Sequence, residues 1–280
     1  MQKVEGSASS LSPAALYAKA DDAADEKRRR PVPSQRSCCA TIDHVSSDPP
    51  KTTMPGDDVL LIACPAVLGE LADGATDGVR TATLEAQLHI SPERLKVAMR
   101  AAVAAADKPG VTIVLGYGLC SNAVLGLKTE YATLVVPRVD DCIAMMLGSN
   151  EAFAAESAKA RGSYYVAKAY LDECDTIMSE HEKLVEKRGV ERAERMMRLL
   201  LEHYTRIVLI NTGRYDVEPS RARITPFAET FGLEIEEVAG TTRILDALVE
   251  GGWDDDFVVA PPGHELTLQD FRPELFAGDS

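Results

Sequence analysis

No apolar run in this chain approaches the ~20 residues that span a bilayer. Its first residues also lack the apolar core of a secretory signal, so a cytoplasmic protein with no membrane partner is expected. Basic residues are in short supply: 30 Lys and Arg face 44 Asp and Glu, a formal charge of −14. Such a field repels nucleic acids and anionic membranes unless a local basic patch overrides it, which leaves a small molecule or a protein as partner. Cysteine is scarce too. Six in 280 residues are too few for a disulfide scaffold, and in a reducing compartment they remain for metal binding, catalysis or burial. Both the GxGxxG spacing and the P-loop Lys followed by Ser or Thr are missing. The glycine loop "GYGLCSN" is only a loose likeness of a phosphate cradle, and a nucleotide role is not expected.

The 45% of hydrophobic residues are unevenly spread. Residues 1–55 are rich in Ser, Ala, Pro and charge and cannot bury enough apolar surface to offset their ordering entropy, so a disordered N-terminal extension is expected. Its KRRR run reads as solvated charge, and the neighbours Cys38 and Cys39 as incidental. From residue 56 short apolar runs alternate with helical ones. "DVLLIAC", "VTIVLGYG" and "YATLVVPRV" read as strands, and 91–107 as a helix capped by Ser91 with Pro92 at its first position. Strands alternating with helices imply parallel pairing through right-handed crossovers. The expected architecture is α/β: two doubly wound, Rossmann-like lobes with parallel sheets. The first lobe covers 56–150, a helical insertion 151–205, the second lobe 206–272, and a tail 273–280. In the second lobe "RIVLINTG", "LEIEEVAG" and "DFVVAPPG" read as strands, with helices over "TTRILDALVEGG" and after Thr225 as cap.

Three cysteines fall at comparable places. Cys64 ends the first strand, Cys120 lies just beyond the second, and Cys142 follows the third, at separations of 56 and 22 residues. In an open parallel sheet the loops beyond the carboxyl ends share one edge, where ligands bind. Three thiols delivered there suit zinc with an open fourth position, or an iron–sulfur cluster with one non-cysteine site. His89, just before the Ser91 cap, is a candidate fourth ligand or base that the helix dipole would keep neutral, and Asp141 is the other. The glycines around Cys120, Gly118 above all, allow close backbone approach, beside the polar Ser121 and Asn122. Arg138 is placed to meet a substrate carboxylate or phosphate, or Asp140 or Asp141. Tyr165 is a candidate pocket wall, and Tyr215 and His264 are candidate contributions of the second lobe to an interlobe cleft. Cys174, in "LDECDTIM", reads as mid-helix filler.

Taken together, "LLIACPA", "VLGYGLCSNAVLGL", "LVVPRVDDCIAMMLGS", "GSYYVAKAY", "INTGRYD" and the closing "PPG" resemble an uncharacterised domain-of-unknown-function family of bacteria and archaea, over about 57–271. Met145 and Met146 stand where that family's leucines are expected. Members often neighbour corrinoid-dependent methyltransferases, so the resemblance implies methyl-group metabolism and a corrinoid, a corrinoid protein or a methyltransferase as cofactor or partner. The expected function is a metal-thiolate protein acting on a small molecule in the cleft. A metal-dependent methyltransferase is one form of it, and a non-catalytic carrier or maturation factor for a corrinoid or metal cofactor is the alternative.

Overall fold

The computed structural model describes residues 58–276. The expected disordered extension over 1–55, with its KRRR run, Cys38 and Cys39, and the end of the tail, 277–280, lie outside the described residues.

The chain alternates as its apolar pattern requires. Strand β1 (Asp58–Ala63) runs into the short helix α1 (Pro65–Leu68), followed by β2 (Arg80–Thr83) and a 3-10 turn (Ala86–Ile90). Helix α2 (Pro92–Ala106) buries Leu95, Met99, Ala102 and Val103, spaced so that one stripe faces the sheet. Then come β3 (Val111–Gly116), β4 (Thr133–Pro137), α3 (Cys142–Leu147) and α4 (Asn150–Lys159). Strand β5 (Ser163–Val166) precedes α5 (Lys168–Glu173), α6 (Ile177–Arg188) and α7 (Val190–Leu200). The chain closes with β6 (Arg206–Asn211), α8 (Glu218–Phe231), β7 (Glu234–Ala239), α9 (Arg243–Glu250), β8 (Phe257–Ala260) and α10 (Leu268–Phe271). None of the described helices is long and apolar enough to cross a membrane.

Two sheets result, in a Rossmann-like α/β arrangement. The first has the order β2-β1-β3-β4-β8 and the second β5-β6-β7. Strand β6 is buried on both faces: Val208 and Ile210 join the main core shared with the first sheet, whereas Ile207 and Leu209 face the core under α7 and α8.

Three expectations are corrected. The segment 151–205 is not purely helical, because "SYYV" forms β5 and pairs in parallel with β6. The strand at 257–260 leaves the second lobe and lies antiparallel on β4, with Leu134 opposite Ala260 and Pro137 opposite Phe257. Its feeding helix explains this: α9 sets Ile244, Leu245 and Leu248 in the main core, so the chain already lies over the first sheet. Finally, Thr225 does not cap α8. The helix starts at Glu218, with Pro219 in its first turn and the Asp216 carboxylate accepting from the Glu218 N–H; Thr225 is interior and donates its hydroxyl to the Arg221 carbonyl.

One buried carboxylate joins the sheets. Glu70, just after α1, accepts from the Ala169 N–H (2.9 Å) and the Thr212 hydroxyl (2.9 Å). Beside it a Cβ on Gly69 would come within 2.7 Å of the Ala169 Cβ, so α1 and α5 touch closely. Burial raises the Glu70 pKa above its ordinary value. An acid raised on folding binds its proton more tightly in the native state, so stability falls as pH climbs from the ordinary carboxylate range through the raised pKa. Glu70→Gln is expected to flatten that slope in a pH series of thermal melts. Glu70→Ala is expected to cost about 2 kcal/mol, because the Ala169 N–H is left unpaired.

Candidate functional site

The carboxyl ends of β1, β3 and β4 bring their following loops to one edge of the first sheet, and each loop carries a cysteine. Cys64 is the N-cap residue of α1, and the backbone N–H groups of Ala66 and Val67 approach its sulfur. Cys120 opens a left-handed turn: Cys120, Ser121 and Asn122 have φ of 43°, 57° and 66° in succession. Each non-glycine residue held there costs about 1–2 kcal/mol, least for Asn, so this loop stores strain beside a thiol. Cys142 is the first residue of α3, whose N-cap is Asp141; the Asp141 Oδ1 accepts from the N–H groups of Ile143 (2.9 Å) and Ala144 (3.0 Å).

The loops of β3 and β4 are laced together by main-chain bonds. The Leu119 N–H donates to the Val139 carbonyl and the Cys120 N–H to that of Asp140, both at 2.8 Å. That seam fixes Cys120 against the Asp141–Cys142 pair. It requires Gly118, where a Cβ would meet the Val139 oxygen at 2.4 Å. The close approach expected at this glycine is therefore made by the neighbouring loop of the chain itself.

A fourth thiol joins these three. Cys174 is the C-cap of α5, an element of the second sheet's side, and its thiol lies near the Cys64 sulfur. The Cys174 thiol is the chief influence holding the Cys64 thiol below its ordinary pKa, despite burial. The Cys120 thiol is pushed up to about 12 by burial and by the Asp141 carboxylate. Burial raises Cys142 as well, assisted by the charges of Asp141, Cys64, Cys120 and Cys174. Helical periodicity hid Cys174. The signal that finds it is Thr176, whose side chain and that of Ser179 form a reciprocal capping box at the start of α6, so the helix must break at 174–176.

Two more side chains complete the group. Tyr117 is 1% exposed and lies near Cys64, Cys120 and Cys142; its hydroxyl makes no hydrogen bond of ordinary geometry. Stacked on it at 6.0 Å is His89, in the 3-10 turn before α2. His89 lies near Asp141 and Cys174, and burial lowers its pKa, keeping it neutral. Ser91 caps α2 by position without a side-chain bond.

The remaining candidates are placed elsewhere or occupied. Arg138 does not pair with Asp140 or Asp141; its Nε donates to the Phe257 carbonyl and ties β8 to β4, while Asp140 pairs with Arg272. Tyr165 packs edge-on against Phe153 at 5.4 Å, with its hydroxyl 3.2 Å from that of Ser157. The Tyr215 hydroxyl donates to the Ile210 carbonyl (2.7 Å) and accepts from the Lys168 N–H (3.1 Å), stitching the loops after β5 and β6. Ser121 and Asn122 are exposed on the strained turn. Because β8 is antiparallel, His264 emerges at the opposite edge from the cysteines, where it meets Asp270 at 3.1 Å.

A cavity of about 450 Å³ opens beside the thiol group between Glu85–Gln87 and Asp172–Asp175, and Cys174 is the cysteine that lines it. Among the described residues, no group of three or more His, Cys, Asp and Glu side chains stands in ready-made metal geometry. The four thiols are neighbours, not a closed cage.

Fold and site together define a two-sheet α/β protein with a cluster of four thiols, Cys64 and Cys120 buried and Cys142 and Cys174 half-buried, at the carboxyl edge of its larger sheet. Residues 83–249, more than half of the chain, match the family model described as a protein of unknown function (DUF1638), and the chain belongs to that family. The match holds His89, Cys120, Asp141, Cys142 and Cys174 and begins after Cys64. No curated protein and no solved structure matches the chain.

Proposed function

We propose that this protein is a metal-thiolate protein in which Cys64, Cys120 and Cys142 hold a soft divalent metal of the zinc class and act on a small molecule in the adjoining cavity. The observation that carries the reading is the delivery of three thiols by three strands to one edge of the first sheet, where Cys64 and Cys120 lie close enough to act on Cys142. Cys64 and Cys120 crowd the Cys142 thiol and push it up, a poor arrangement by itself; a cation among the three would reverse that electrostatics and hold them as thiolates. When bound, zinc supplies a Lewis acid that keeps a substrate thiol or water ionised. His89, kept neutral by burial, would be the base available to take a proton, since one Asp141 oxygen is committed to capping α3.

The resemblance to proteins found beside corrinoid-dependent methyltransferases favours methyl-group metabolism as the setting, with a thiol as methyl acceptor. A carrier or maturation factor for a corrinoid is the rival; tight corrinoid binding with no turnover of any methyl donor would favour it.

Metal analysis of anaerobically purified protein tests the centre. About one zinc per chain is expected, falling to near zero in the Cys64→Ser, Cys120→Ser, Cys142→Ser triple variant. Iron with acid-labile sulfide would assign a cluster instead. Equal metal in both proteins, or well under one per chain in the wild type, overturns the reading.

A further inference from the structure

We infer that the carboxyl edge of the second sheet holds a separate binding site, a cavity between β6 and β7 in which Glu237 receives the adjacent hydroxyls of a neutral, ribose-like diol. The site lies on the other sheet from Cys64, Cys120 and Cys142 and does not depend on the metal-thiolate reading above.

Topology opens the cavity. Strands β6 and β7 are parallel neighbours, with Leu209 opposite Glu237 and Asn211 opposite Ala239. The chain leaving β6 turns to one face of the sheet, where α8 sets Ile224, Phe227 and Ala228 in the core with Ile207 and Leu209. The chain leaving β7 turns to the other face, where α9 sets Ile244, Leu245 and Leu248 in the main core with Val208, Ile210 and Val238. Gly240 allows that departure: a Cβ there would come within 2.8 Å of both the Ile210 Cγ2 and the Met146 oxygen. The next residue, Thr241, donates its N–H to the Met146 carbonyl (2.8 Å). Adjacent parallel strands whose connections part to opposite faces leave a crevice at their carboxyl ends, the place where open α/β sheets bind ligands. A cavity of about 400 Å³ lies there, lined by Asn211, Thr212, Gly213, Glu237, Ala239 and Gly240. That volume suits a small molecule.

Side-chain alternation sets its chemistry. Asn211, Glu237 and Ala239 continue the face of Ile207, Leu209 and Ile235, so all three stand on the α8 side of the sheet. The Glu237 carboxylate is held at both oxygens: the Asn211 Nδ2 donates to Oε1 (2.8 Å), and Arg221, in the first turn of α8, donates to Oε2. The Asn211 Oδ1 in turn accepts from the Gly213 N–H (2.9 Å), which folds the loop after β6 back over the strand end. Each carboxylate oxygen keeps a further lone pair, so Glu237 is a fixed, two-point acceptor. Its side chain is 34% exposed and within reach of a ligand. Arg221 offsets much of its charge, which lessens the advantage of an ammonium group over a hydroxyl, and the carboxylate disfavours a phosphate. Two adjacent hydroxyls match two acceptors in one plane. An acidic side chain on the second strand of a strand–helix–strand unit plays this part toward ribose.

Saturation-transfer NMR on the full chain tests the site, with methyl β-D-ribofuranoside and its 2-deoxy counterpart as probes. The riboside is expected to bind with a Kd on the order of 1–10 mM. The deoxy sugar should bind about tenfold more weakly, because it forgoes a hydrogen bond to a charged group. Glu237→Gln should weaken the riboside about tenfold and leave the two sugars nearly alike. Since Glu237 also ties β7 to α8, Ala239→Leu is the second variant: it fills the cavity, removes no hydrogen bond and should abolish binding of both sugars. Absence of riboside binding to the wild type at about 100 mM overturns the site. Equal binding of the two sugars by the wild type, or an unchanged riboside Kd in either variant, does the same. Displacement of the riboside by millimolar ethylammonium or inorganic phosphate overturns the diol as the ligand class.

Discussion

Zinc added to metal-stripped protein at about a thousandfold above its dissociation constant is expected to raise the melting midpoint by about 8–16 °C. Mass action supplies about 4 kcal/mol at that ratio. A described domain of this size moves its midpoint by roughly 2–4 °C per kcal/mol. The reason to expect full linkage is that the proposed ligands come from distant parts of the chain. Cys64, Cys120 and Cys142 follow three strands, and their loops converge only when β1, β3 and β4 are paired. An unfolded chain offers no such set, so binding energy becomes folding energy. Cys64→Ser should abolish most of the shift, each variant being compared with its own metal-free state so that any cost of the substitution cancels. Magnesium should produce none of it, since a hard cation seeks oxygen ligands. An equal zinc shift in Cys64→Ser would mean that the metal sits elsewhere, for example on the acidic surface, and would count against the thiol centre.

Most of the first sheet was legible in the sequence because its signals are local. The six apolar runs read as strands are all strands, trimmed by one to three residues at their ends. Pro92 at the start of α2 and the buried stripe behind it behave as elementary helix rules require. What escaped was set by tertiary context. Strand β5 is four residues long, "SYYV", and acquires its identity from the neighbouring β6 rather than from its own length. The pairing of β8 with β4 depends on where α9 docks, which no window around 257–260 contains. In the site, the edge shared by Cys64, Cys120 and Cys142 followed from strand order alone. Cys174 did not, because its neighbour Cys64 lies 110 residues away and a helical pattern surrounds it. Arg138 and Tyr215 show the opposite failure: residues chosen for their chemistry are committed to main-chain carbonyls.

Gly118→Ala is expected to be as damaging as the loss of metal, although the backbone at Gly118 lies outside the left-handed region that favours glycine. The obstacle is contact. An added Cβ would lie 2.4 Å from the Val139 oxygen, 2.9 Å from the Asp141 nitrogen and 3.0 Å from the Asp140 carbonyl carbon. All three are main-chain atoms and cannot swing aside as a side chain would. The loops after β3 and β4 must therefore separate, with loss of the bonds from Leu119 to Val139 and from Cys120 to Asp140. Overpacking of this kind costs roughly 3 kcal/mol and each bond about 1 kcal/mol more, so the midpoint should fall by roughly 10–20 °C. Gly110→Ala supplies the contrast. Its φ of +76° is unfavourable to alanine, but nothing lies within 4 Å of the new methyl. A loss of about 1 kcal/mol is expected there. The same separation pulls Cys120 away from Cys142, so in Gly118→Ala, unlike Gly110→Ala, Cys120 should become faster to alkylate in the metal-free protein, measured residue by residue with iodoacetamide and mass spectrometry. If Gly118→Ala melts within 2 °C of the wild type and leaves Cys120 protected, the seam between the two loops is not what holds the thiols together.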